Sequence, residues 1–182
     1  MKALLIIDMQ KGSFTPVTPR HDTPGTIERI NNLATLCRKN NFPVIFIQHD
    51  GTKENVFLPN TEEWDILNEL IIRESDTIIS KTANDAFYKS ALHDFLTKNN
   101  IQELLITGCA TDFCVEATIQ SALSKDYHVT VVKDAHTTGD RPHLNAKKVI
   151  EHYNWIWENM IPTDGDLKVL TEEKIIAKYL NT

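Results

Sequence analysis

Glu103-Leu104-Leu105-Ile106-Thr107-Gly108-Cys109-Ala110-Thr111-Asp112-Phe113-Cys114-Val115 changes its periodicity halfway along, and that change points to the fold class. The first half is a short apolar run ended by Gly108, the pattern of a strand buried on both faces. The second half opens a segment, residues 112–124, in which Cys114, Val115, Thr118, Ile119 and Ala122 share one helical face. A buried strand that passes straight into a helix is the repeating step of an α/β fold.

The alternation continues in both directions. Strands are expected over residues 3–7, 43–47, 76–79 and 129–132, with Met160-Ile161 as a short sixth. Helical spacing marks residues 26–40, a short stretch at 64–70, then 90–98, 144–157 and 172–180. No linker, internal repeat or low-complexity tract interrupts the series, so residues 1–182 read as a single domain. The expectation is a three-layer α/β/α, Rossmann-like domain with a mostly parallel six-stranded sheet and right-handed crossovers.

In open α/β sheets chemistry gathers beyond the carboxyl ends of the strands. The polar residues that follow the expected strands are Asp8, then His49 and Asp50, then Lys81. The fourth strand leads to Cys109 and Cys114, and the fifth to Asp134 and His136. A carboxylate, an ammonium and a thiol therefore converge on one edge of the sheet.

Bulk properties exclude several classes. The net charge of −6 disfavours nucleic-acid and anionic-membrane partners, both of which need clustered Lys and Arg. No apolar stretch is long enough to cross a bilayer, and the run before Asp8 is too short for a signal peptide. Three cysteines without CxxC spacing fit a reducing compartment, so a cytoplasmic protein is expected. No GxGxxG follows the first strand, which disfavours a dinucleotide oxidoreductase.

A free cysteine is usually a buried, inert small hydrophobe, and Cys37, on an apolar helix face, fits that description. Cys109 is open to either reading. Cys114 falls in the first helical turn, with Thr111 or Asp112 available as a cap, where unpaired N–H groups and the helix dipole favour a thiolate. Asp8 alone reads equally as a strand-end cap, and Lys81 alone as a solvated side chain. Only their joint position gives them weight.

The segment from Leu105 to Val115 resembles the nucleophile motif of isochorismatase-like cysteine hydrolases. Leu4-Leu5-Ile6-Ile7-Asp8-Met9-Gln10 resembles their first motif, and Ser80-Lys81 with Asp85-Ala86-Phe87 their lysine motif. That superfamily includes nicotinamidases, carbamoylsarcosine amidohydrolases and true isochorismatases. The resemblance runs from Ala3 to about Asp134. It is looser beyond, where Asp140-Arg141-Pro142-His143 and Asn154-Trp155 look like one branch of the group.

The resemblance implies a triad of Asp8, Lys81 and Cys114, an oxyanion hole of the Ala110 and Cys114 backbone N–H groups, and a cis Cys109-Ala110 peptide. Asp8 would be the general base, and Lys81 would hold it and favour thiolate. Gln10, Phe14, His49, Phe87 and Trp155 are the expected substrate contacts, with aromatic walls suited to a flat or partly apolar ligand. Trp64 and Trp157 read equally as packing residues.

Nicotinamidases of the group carry an Asp and several closely spaced His after the second strand. Here His49-Asp50 stands without them, and even with His136 the set is incomplete for a metal. No metal and no cofactor are expected. The partner is a small-molecule substrate, and relatives of this kind suggest a homodimer or homotetramer. The expected reaction is cleavage of an amide-type C–N bond through a Cys thioester. Vinyl-ether cleavage of the isochorismatase type is disfavoured, because those enzymes typically lack cysteine at the position of Cys114. A catalytically idle binding or assembly domain is disfavoured by the intact triad.

Overall fold

A computed structural model describes residues 1–180. The strands are β1 (Lys2–Ile7), β2 (Val44–His49), β3 (Thr77–Lys81), β4 (Glu103–Cys109), β5 (His128–Thr137) and β6 (Leu167–Leu170). The helices are α1 (Thr23–Lys39), α2 (Leu92–Lys98), α3 (Glu116–Leu123), α4 (Ala146–Asn159) and α5 (Glu172–Ile175). Every strand pair is parallel, and the spatial order is β3-β2-β1-β4-β5-β6.

Alternation along the strands builds the three layers. Leu5 and Ile7 of β1, with Ile45 and Ile47 of β2, point to the face covered by α2, α3 and α4. Leu4 and Ile6, with Val44 and Phe46, meet Ile30, Leu33, Ala34 and Cys37 of α1, and Ile175 of α5. The central strands are apolar almost throughout because both of their faces are covered. Among the described residues no helix is long and apolar enough to cross a membrane.

Strand order reverses between β1 and β4, and a crevice at such a reversal is where α/β sheets bind ligands. Gly108 lets the two strands close there. Its φ of +120° suits glycine, and a Cβ on it would lie 2.2 Å from the Ile7 carbonyl oxygen. Gly108→Ala is expected to cost about 3 kcal/mol and to lower Tm by about 6–12 °C. An unchanged melting curve would contradict that assignment.

Two sequence expectations are corrected. The sixth strand is Leu167–Leu170, not Met160-Ile161: Ile161 is 92% exposed, and Pro162 beside it has no N–H to give a ladder. The segment at 64–70 is not helical. Its backbone continues alongside the end of β1 instead, with Leu67 N–H donating to the Met9 carbonyl and Lys11 N–H to that of Asp65. Those partners replace the bonds a helix would have made. β5 also runs past its apolar core to Thr137, with an irregularity between Ile106 and Gly108 that sets His136 opposite Gly108.

Candidate active site

Three strand ends deliver the central residues. Asp8 follows β1 directly, with a left-handed φ of 47°, a costly conformation for a non-glycine residue that is often stored at functional positions. Lys81 closes β3, beside His49 at the end of β2. Cys114 lies one turn beyond β4, after a cis Cys109-Ala110 peptide. That turn is widened: the Val115 N–H reaches the Ala110 carbonyl five residues back, at 3.1 Å.

Lys81 Nζ lies 2.7 Å from Asp8 Oδ2, and its side chain is completely buried. It also donates to the Ala83 carbonyl at 2.8 Å and stands 3.4 Å from Cys114 Sγ and 3.4 Å from His49 Nδ1. The other oxygen of Asp8, Oδ1, is buried with no hydrogen-bond partner among the described residues. A carboxylate oxygen left open beside a thiol is a proton acceptor in waiting.

Burial, and after it the charge of Asp8, push the Cys114 thiol up, while Lys81 pulls it down; the net direction is up. The expectation of a resting thiolate is therefore corrected. The surroundings favour the protonated thiol. Burial pulls Lys81 down, but Asp8 and then Cys114 outweigh it, so the ammonium is held in its charged form. Burial pushes Cys37 and Cys109 up to about 12, as suits inert core thiols.

The turn that carries Cys114 is held from outside. Neither Thr111 nor Asp112 caps it, contrary to expectation, because both side chains are committed elsewhere. The Thr111 hydroxyl pairs with His136 Nδ1 at 2.9 Å, and His136 Nε2 with Asn154 Oδ1 at 3.1 Å. Asp112 takes a bidentate pair from Arg141, at 2.7 and 2.8 Å, and a hydroxyl from Thr138.

Burial lowers His136 from 6.5 to about 4. Between those values the unfolded chain binds a proton that the folded one refuses, so stability is complete above pH 6.5 and falls as pH drops towards 4. The loss is about 3 kcal/mol. Melting curves across that window should show the slope, and His136→Asn should flatten it; a slope unaffected by the substitution would count against this account of His136.

A cavity of about 220 Å³ opens onto Cys114, lined among others by Asp8, Gln10, Arg20, His49, Phe57 and Phe113. Asn84 also lines it, with its side-chain oxygen 3.6 Å from Cys114 Sγ. Ala110 lines the wall, one residue past the cis bond.

The expected aromatic wall is different in the structure. Phe87 is buried against Tyr127 and His93 beneath the sheet. Trp155 is 62% exposed on the outer side of α4, whose inner side is taken by Asn154 and Trp157. Phe14 packs beside the core on the α1 side. Phe57 and Phe113 supply the aromatic surface instead. Gln10 does line the cavity, but its carboxamide is spent on the backbone of His49 and Trp64. His49 stays, held below its ordinary range by burial and then by Lys81.

Asp50 holds the turn at Thr52, while His136 is locked behind the turn that carries Cys114. Among the described residues no three His, Cys, Asp or Glu side chains come together as a metal ion would need.

Comparison with known proteins gives a family model, the Isochorismatase domain, matching residues 2–160. The streptothricin hydrolase of Streptomyces noursei is 28% identical over 142 residues, 78% of this chain; the match spans only 56% of that longer protein. Nicotinamidase 3 of Arabidopsis thaliana is 28% identical over 153 residues, covering 75% of this chain and 73% of its own. The crystal structure of an isochorismatase family protein superposes with a TM-score of 0.85 at 32% identity, covering 93% of this chain and 98% of that one.

Proposed function

The chain belongs to the isochorismatase family of hydrolases, and from that premise we propose that it cleaves an amide-type C–N bond of a small molecule through a thioester on Cys114. The observation that carries the proposal is the contact chain from Cys114 Sγ to Lys81 Nζ to Asp8, ending in the open Asp8 Oδ1. A nucleophilic sulfur requires a carbonyl carbon, which an amide offers and a vinyl ether lacks. The similarity to a nicotinamidase agrees with this choice.

The steps follow from the residues. Cys114 Sγ attacks the carbonyl carbon as its proton passes to Asp8. Charge appearing on the carbonyl oxygen is met by the Ala110 and Cys114 backbone N–H groups. The C–N bond breaks as Asp8 returns that proton to the nitrogen, releasing ammonia or an amine. Water, deprotonated by Asp8, attacks the thioester; the C–S bond breaks and the sulfur regains the proton. Lys81 stays cationic throughout, holding Asp8 and offsetting charge on sulfur. One water is consumed, and a carboxylic acid and an amine leave.

A cavity of about 220 Å³, below the roughly 300–1,000 Å³ of drug-sized sites, favours a compact substrate. Product analysis across small amides, ureas and lactams, with isochorismate alongside, is the test. Ammonia or amine release is the expected result. Efficient pyruvate release from isochorismate, with no C–N substrate found, would refute the proposal.

A further inference from the structure

Arg20 lines the same cavity as Cys114, yet nothing in the proposed reaction uses it. The other cations nearby are committed. Lys81 is paired with Asp8, and Arg141 with Asp112. Among the described residues Arg20 has no carboxylate within ion-pair distance, and its one side-chain hydrogen bond runs from Nε to the Ser13 carbonyl at 2.7 Å. His49 is held towards its neutral form. With Asp8 and Lys81 cancelling, the cavity wall carries one uncompensated positive charge.

The guanidinium is also seated rather than loose. The Nε bond fixes the plane of the group, and Gly139 makes room behind it: a Cβ there would lie 3.0 Å from Nη1 and 3.1 Å from the Pro19 carbonyl oxygen. Among the described residues Nη1 and Nη2 have no hydrogen-bond partner, and such a planar pair of donors matches a carboxylate in two-point geometry.

We infer that Arg20 is an anion subsite, and that the substrate is a small amide bearing a carboxylate. This rests on the cavity being the substrate site, as proposed above. A carboxylate fits better than a larger or more highly charged group, because one cation faces the space and about 220 Å³ must also hold the amide. Phe57 and Phe113 would then cover the apolar middle of the molecule.

Succinamate and butanamide, which share an amide and a chain length and differ in the terminal carboxylate, provide the test. Each is titrated into Cys114→Ala protein, which cannot form the thioester, while backbone amide shifts of residues 12–21 and 109–115 are followed. Succinamate is expected to bind roughly tenfold more tightly or better, as a charge-assisted pair implies. Arg20→Gln should bring the two affinities together. Arg20→Lys, which keeps the charge but loses the fork, should give an intermediate preference. Equal affinities, saturation by neither compound, or a preference that survives Arg20→Gln would overturn the inference. Turnover is read separately in protein that retains Cys114. Absence of amide hydrolysis there, with the carboxylate preference intact, would overturn the proposed reaction and leave the subsite standing.

Discussion

Asp8→Asn is expected to reduce turnover by about 10³-fold or more while making Cys114 more reactive towards iodoacetamide at neutral pH. The first effect follows because Asp8 is, among the described residues, the only carboxylate lining the cavity, and the proposed reaction needs its open oxygen twice as acceptor and twice as donor. The second follows from electrostatics. Asp8 pushes the thiol up and Lys81 pulls it down, so removing the carboxylate leaves the Lys81 charge unopposed beside the sulfur. More thiolate then exists at neutral pH, and alkylation speeds up. A purely structural role for Asp8 would give loss of activity with no faster alkylation. Lys81→Met should act the other way, slowing alkylation along with turnover. Both variants leave a buried charge without its partner, so each should also melt earlier than the parent.

Cys114→Ala is expected to remove turnover altogether, a loss on the order of 10⁴-fold or more against the best substrate found. Stability should change by only about 1 kcal/mol, because Cys114 is a small side chain at the margin of the core and its sulfur lies 3.4 Å from Lys81 Nζ and 3.6 Å from the Asn84 side-chain oxygen. The pairing of a little-changed melting curve with a silent assay separates chemistry from folding. Cys114→Ser should behave almost as badly, since Asp8 is matched to a thiol proton and a serine hydroxyl is far less acidic. A Cys114→Ala protein that retained activity, with the melt unchanged, would remove the sulfur from the reaction.

Much of this was legible in the sequence because strand ends speak plainly. Asp8, His49 and Lys81 each stand where an apolar run stops, and parallel strands put those stops along one edge. Cys114 could be placed by its distance from Gly108. The pocket wall could not be read in the same way. Phe57 and Arg20 come from long loops whose path is set by tertiary bonds, such as Arg20 to Ser13, and no periodicity encodes those. Phe87 and Trp155 resemble wall residues, but Phe87 stacks on Tyr127, and on α4 the buried side is taken by Trp157, which leaves Trp155 outside. The protonation of Cys114 was misread for a related reason. A helix start favours thiolate, yet burial and an adjacent carboxylate oppose it, and only the three-dimensional arrangement shows their sum. The sixth strand was missed because Leu167–Leu170 is a half-exposed edge of four residues, with little apolar signal.

The covalent intermediate is the central claim, and rapid-quench mass spectrometry reads it directly. Protein mixed with a slowly hydrolysed amide should gain the mass of the acyl group within the first turnover, and peptide mapping should place it on Cys114. Product formation with no adduct on Cys114 at any quench time, or with the adduct on a different residue, would contradict the account.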